Sequence, residues 1–247
     1  MKRLTLRGLI HITGKYLLRL VGNFQSRHSL IPTTPFLENH LFKCTEELEK
    51  NWKTIKAELD IVWKNPEKIP SFHQISPDQS RISKGENWKT FAFYIFKEKI
   101  IENCNKCPKT AQILKDIDGL QNAWFSILAP KYKVPPHKGP TKALVRCHLG
   151  LKIPLNAENC WIRVSDIKKS WREGECMFFD DTYEHEVFND TNEARAVLFL
   201  DLDRPMDSLG KKFNSLLLSL VKSSHYVKDP LKNLKAWSKN MKNETVT

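Results

Sequence analysis

The sequence is short of several things, and each shortage removes a class of protein. No run approaches the roughly 18 consecutive apolar residues that cross a bilayer, so no transmembrane span is expected. Six cysteines in 247 residues are too few for the disulfide framework of a small secreted domain. The lone C-x-x-C, Cys104-Asn105-Lys106-Cys107, has no second pair or histidine at zinc spacing, and both residues read as ordinary thiols. Internal repeats and low-complexity blocks are missing. No acidic residue precedes Glu38, and the apolar runs before it are short and interrupted, with no small-residue cleavage site. A secretory signal is therefore not expected. These absences point to reduced thiols and a cytoplasmic location.

What is present begins with charge. The formal net charge is +12, from 40 basic and 28 acidic residues. Such an excess calls for an anionic partner or surface without saying which. The cations are spread over helical patterns and the two ends, without the aromatic-interleaved strand face of a single-strand binder, so nucleic acid is not the expected partner. Residues 1–24 read as a basic amphipathic helix, with Lys2, Arg3, Arg7, Lys15 and Arg19 between leucines. Three readings stand: contact with an anionic membrane surface, an ordinary packing helix or arm, and a transit peptide.

Periodicity divides the chain. Thr45 to Trp63 reads as one helix, with Leu48, Trp52, Ile55, Leu59 and Val62 three and four apart and Thr45 as its N-cap. Residues 64–87 read as loop, Trp88–Phe96 as a strand, and Pro108–Ile117 as a short helix with proline in its first turn. From residue 119 the pattern is of short strands: 124–128, 142–153, 160–164, 175–179, 184–188 and 194–202. Joined by Gly, Pro and Asn-Asp turns, these predict a sandwich or jelly roll behind an N-terminal helical layer. An apolar helix over Ser208–Val221 and a lysine-rich tail follow.

Polar residues inside the strands carry the chemistry. In the strand 142–153, Arg146 and His148 share one face and an unbroken apolar set takes the other. His137 precedes that strand in a proline-rich loop, and His185 opens another strand after Asp180-Asp181. Neutral imidazoles at strand mouths suit iron, zinc or copper. Arg195 heads an apolar run and needs an anion: a bidentate ligand carboxylate, or a structural partner among Asp180, Asp181 and Asp201. Arg146 poses the same choice. The two aspartates read as loop residues or as groups orienting His185, and at least one of Trp161 and Trp171 reads as core.

Several of these stretches occur together: His137-Lys138-Gly139-Pro140-Thr141, Arg146-Cys147-His148-Leu149-Gly150-Leu151, Glu184-His185-Glu186-Val187 and, ten residues after His185, Arg195. With them the chain resembles the aspartyl/asparaginyl β-hydroxylase family of Fe(II)/2-oxoglutarate-dependent dioxygenases, which also includes the lipid A hydroxylases. The resemblance runs from about Pro32 to Pro205. It implies a double-stranded β-helix, a cupin-like jelly roll, over residues 32–206, between a basic arm (1–31) and a C-terminal helix and tail (207–247). It implies His137 and His185 as iron ligands. Arg195 and Ser126 would hold the distal carboxylate of 2-oxoglutarate, and Arg146 and His148 would stand beside co-substrate and substrate as the catalytic pair. Fe(II), 2-oxoglutarate and O2 are the implied cofactor and co-substrates.

Two signals divide over the substrate. Iron oxygenases usually add a carboxylate two residues after the first histidine; that position is Gly139 here, as in the peptide-hydroxylating branch, with water filling the site. Pro32-Thr33-Thr34-Pro35-Phe36-Leu37 and Asp203-Arg204-Pro205-Met206 instead resemble the lipid A branch. The β-carbon of an Asp or Asn residue, or of a related amino acid, is the expected target. A lipid acyl chain at the membrane is the alternative, and a metal-binding jelly roll without turnover is the non-enzymatic one.

Overall fold

Alternation along eight strands decides the architecture. In the computed structural model, which describes residues 20–244 with side chains through Lys239, these are β4 (Leu120–Leu128), β5 (Tyr132–His137), β6 (Leu144–Lys152), β7 (Cys160–Val164), β8 (Ile167–Ser170), β9 (Cys176–Phe179), β10 (His185–Asn189) and β11 (Arg195–Asp203). They are preceded by β1 (Phe36–Leu37), β2 (Trp88–Ile95) and β3 (Glu98–Lys99). One sheet runs β1-β9-β6-β11-β4-β2-β3 and the other β5-β10-β7-β8, with every pairing antiparallel. From β4 onward the chain passes back and forth between the two sheets. This is the double-stranded β-helix, a jelly roll.

The large sheet is apolar on both faces because both are covered. One face packs against α2 (Cys44–Lys50), α3 (Trp52–Val62), α5 (Ile101–Lys106) and α6 (Pro108–Lys115). Leu48, Ile55, Leu59 and Leu114 there meet Phe93, Phe125, Cys147 and Leu198. The opposite face carries Trp88, Trp124, Phe179, Val197 and Phe199 toward Val134, Ile162, Val164 and Val187 of the small sheet. Period-two geometry therefore sends Arg146, His148, Ser126 and Arg195 into the space between the sheets.

Residues 1–19 of the expected basic helix lie outside the described residues; residues 20–27 are helical (α1). The helix expected over Thr45–Trp63 is two helices. The break is at Asn51, whose backbone leaves the helical region (φ −99°, ψ 5°) and whose side chain donates to the Glu47 carbonyl at 2.9 Å beside its own N–H. Thr45 does not cap; its hydroxyl donates to the Asn39 carbonyl at 2.9 Å, and Lys43 occupies the cap. The 64–87 stretch contains a short helix, α4 (Phe72–Ile75), closed by a capping box between Ser71 and Gln74. After α7 (Ser208–Lys222), the lysine-rich tail forms α8 (His225–Glu244). Val227, Pro230 and Leu234 supply its buried face between the lysines. Cys104 and Cys107 are buried core thiols. Among the described residues no helix is long and apolar enough to cross a membrane.

Candidate active site between the sheets

The two histidines meet by strand register. His137 ends β5 and His185 opens β10 directly opposite, with ring centroids 4.1 Å apart. His137 Nδ1 donates to the Pro135 carbonyl at 2.8 Å, and His185 Nδ1 to the Tyr183 carbonyl at 3.0 Å. Each carbonyl fixes the tautomer and leaves Nε2 with a free lone pair. Burial, aided by mutual repulsion, lowers the His137 pKa to about 3; burial and Arg146 lower that of His185 to about 4. Both rings are neutral at physiological pH, the form that ligates a metal. Among the described residues no cluster of three or more His, Cys, Asp or Glu is placed to hold a metal ion.

Behind the pair lies a set of donors without acceptors. Arg195 is 2% exposed, and its Nε and Nη1 have no hydrogen-bond partner. Its guanidinium lies 4.6 Å from the Trp171 ring, and burial lowers its pKa to about 10. None of the structural partners considered for it, Asp180, Asp181 or Asp201, pairs with it. Trp171 Nε1 donates to His148 Nδ1 at 3.2 Å, so His148 carries its proton on Nε2, which has no acceptor. Ser126 Oγ accepts from Trp88 Nε1 at 2.9 Å and keeps its own hydrogen to donate. Five buried side-chain atoms without a hydrogen-bond partner belong to Thr90, Trp124, His148 and Arg195 on this one face. Buried donors are normally satisfied. The arrangement fits a carboxylate between the sheets. Phe179 joins its two ends, 5.9 Å from the His185 ring and 5.0 Å from that of His148.

Arg146 resolves its choice the other way. Its Nη2 meets Asp181 Oδ2 at 2.9 Å, its Nε meets Asp201 Oδ1 at 3.0 Å, and it lies over the Phe199 ring. The aspartate side chains pair with cations: Asp180, fully buried, accepts from Arg204 at 2.6 Å and Lys142 at 2.7 Å. Burial works to raise the Asp180 pKa, but Arg204, Lys142 and Thr182 together outweigh it and hold it down. The missing carboxylate at Gly139 has a physical counterpart. A Cβ there would fall 2.2 Å from Asp181 Oδ2, while Gly139 N donates to the Asp181 carbonyl at 2.7 Å. The space a side chain at 139 would enter is filled by Asp181.

The two stretches that flank the strands in sequence meet here. Asp180 N donates to the Pro35 carbonyl at 3.0 Å, Tyr183 Oη to the Thr33 carbonyl, and Arg204 Nη1 to the Pro32 carbonyl at 3.4 Å. Leu30 N donates to the Pro205 carbonyl at 2.9 Å. Residues 30–36 and 203–206 thereby brace the 180–184 loop that delivers His185. Sequence reasoning missed Trp88 and Thr90 as members of the site. Only the alternation Trp88-Thr90-Ala92 in β2 signals them.

A 36% identical relative over 213 residues is the ornithine lipid ester-linked acyl 2-hydroxylase of Rhizobium tropici; the match covers 86% of this chain and 76% of that one. The human aspartate beta-hydroxylase domain-containing protein 2 is 31% identical, over 71% of this chain and 48% of its own length. The mouse aspartyl/asparaginyl beta-hydroxylase is 32% identical, over 65% of this chain and 21% of its own. The chain thus spans about half or less of these mammalian relatives. Among solved structures, an oxidoreductase of the 2OG-Fe(II) oxygenase family from Burkholderia pseudomallei has a TM-score of 0.40 at 8% identity, over 48% of this chain and 67% of that one. The family model described as aspartyl/asparaginyl beta-hydroxylase matches residues 49–205, the span that holds both histidines, the orphaned donors and Arg195, and the chain belongs to that family.

Proposed function

We propose that the chain is an Fe(II)/2-oxoglutarate-dependent hydroxylase whose substrate is an acyl chain of a lipid. The observation that carries the chemistry is the buried, unpartnered Arg195 beside the free Nε2–H of His148. A guanidinium in that position is stable only with an anion, and a dicarboxylate reaching toward the histidine pair supplies one. In this reading His137 and His185 hold iron through Nε2. Arg195 and the Ser126 hydroxyl bind the distal carboxylate, and His148 and Arg146 stand beside the co-substrate and the substrate. Bound iron would supply dioxygen activation, with 2-oxoglutarate, O2 and a substrate C–H giving succinate, CO2 and the alcohol. The side chains position the reactants and exclude water: Phe179, Phe199, Trp124 and Trp171 wall the space between the sheets.

Two observations support the lipid. The match to the ornithine lipid hydroxylase is longer than the 49–205 core and so runs into the flanking segments. The 30–36 part of the brace against the histidine loop lies in the N-terminal flank. The Asp or Asn β-carbon remains a second reading. A basin of about 570 Å³ is lined by Lys138, Lys142, Arg163, Thr182, Tyr183 and Glu184, and its cations suit a substrate carboxylate. The test is anaerobic titration with Fe(II) and 2-oxoglutarate, read by the visible charge-transfer band. Succinate release in air is then measured with an ester-linked acyl lipid or an Asp-containing peptide. A band that vanishes in His185→Ala, with succinate coupled to the lipid, is the expected result. Coupling to the peptide alone would move the assignment to the second reading, and no band from folded protein would end both.

A further inference from the structure

The site leaves one surface of the molecule unexplained. On α7, Leu209, Leu216 and Leu220 are 57%, 63% and 64% exposed. Their spacings of seven and four put them on a single helical stripe. Large leucines scattered singly need no explanation; three in register on one helix do. The inward side of α7 is already used, with Gly210 and Asn214 buried. Ser223 and Ser224 then turn the chain into α8. There Lys228, Lys232, Lys235 and Lys239 are all exposed. Spacings of four, three and four place all four on one face, opposite the buried Val227, Pro230 and Leu234. Among the described residues none of these lysines forms an ion pair.

We propose that the α7 leucine stripe and the α8 lysine stripe together form a docking surface for an anionic lipid bilayer. Charge decides between occupants. A second copy of the chain seated on this face would bring lysines against lysines, and like charges across an interface are costly. A bilayer satisfies both stripes at once: leucines enter the acyl boundary while ammonium groups meet anionic headgroups. The inference deepens the lipid reading of the substrate, because the surface would hold the hydroxylase where that substrate resides.

The full-length protein, without iron or 2-oxoglutarate, is sedimented with vesicles of equal parts phosphatidylcholine and phosphatidylglycerol. Vesicles of phosphatidylcholine alone serve as comparison. Two variants are compared with the wild type: L209S/L216S/L220S and K228Q/K232Q/K235Q/K239Q. Every substituted side chain is exposed, and circular dichroism checks the fold. The lysine variant is expected to lose up to about 10³-fold in partitioning, since each of the four lysines near such a surface contributes about 1 kcal/mol. It should also lose the steep salt dependence. The leucine variant is expected to fall by a similar factor on both vesicle types. Wild-type-like binding by either variant would overturn the proposal. So would absence of wild-type binding, or a wild-type dimer that only the leucine variant dissociates. Vesicle binding needs no catalysis, so its failure leaves the hydroxylase reading standing, and a failed turnover assay leaves the docking surface standing.

Discussion

Arg195 is a cation that the fold buries without an anion, and its replacement should behave unlike most core substitutions. Deleting a buried group usually destabilises. Here Arg195→Met removes an uncompensated charge and keeps the packing on Trp171, so the ligand-free protein should melt at or above the wild-type temperature. The same variant should show no thermal shift with 2-oxoglutarate, where the wild type is expected to show one. A large drop in melting temperature without ligand would contradict the reading. The histidine pair makes a second residue-scale prediction. Its folded pKa values, about 3 and about 4, lie below the ordinary 6.5. The stability these rings contribute is therefore complete above pH 6.5 and lost as pH falls toward 4. Denaturant midpoints should decline over that window, and less steeply in a His137→Gln/His185→Gln variant. Gly139→Ala should cost about 1–3 kcal/mol by overpacking against Asp181. An unchanged urea midpoint would mean that the aspartate moves aside freely. Much of this scale was legible in the sequence. A histidine or arginine in an apolar strand stands out because burial demands a reason for it. Trp88 and Thr90 do not stand out, because their importance lies in what faces them across the sheets.

Elements were legible where one periodicity ruled. The strands β4, β6, β7 and β11 announce themselves by alternation, and the jelly roll follows from their number and spacing. β5 was read as a loop because Pro135 and Pro136 hide it; it is a sheet edge, where proline removes no needed hydrogen bond. The brace around the histidine loop could not be read at all, since its partners lie far apart in the chain. It rests on the Arg204–Asp180 pair, both side chains fully buried. Breaking it in Asp180→Asn should cost about 3–5 kcal/mol, because Arg204 would keep a charge with no full partner. The loop carrying His185 should loosen with it. Hydrogen exchange over residues 180–186 would rise together with the loss in stability. A stable variant whose loop stays protected would show that the backbone bonds to Thr33 and Pro35 suffice.

At the scale of the whole molecule, the question is whether the C-terminal helices belong to the jelly roll or merely follow it. The lysine-rich composition suggests a tail. The burial pattern says otherwise, since Val227 and Leu234 join the same core as Ile75, Ile82, Trp88 and Phe96. Asn233 donates to the Ile75 carbonyl at 2.9 Å and Trp237 to the Lys68 carbonyl at 3.1 Å, fastening α8 to α4 and its approach. Removing residues 224–247 would uncover that core and leave those carbonyls to water. Burial of one valine and one leucine contributes about 3–6 kcal/mol together, a large part of the stability of a typical domain. The truncated chain should therefore melt well below the full chain and bind a hydrophobic dye. Arg195 and the histidine pair lie on β11, β5 and β10, outside the deleted segment, so whatever remains folded should still bind 2-oxoglutarate and metal. Equal melting temperatures would make α8 an appendage lying on the surface. A truncated protein that melts low yet responds to 2-oxoglutarate would place the helix in the core while keeping the site independent of it.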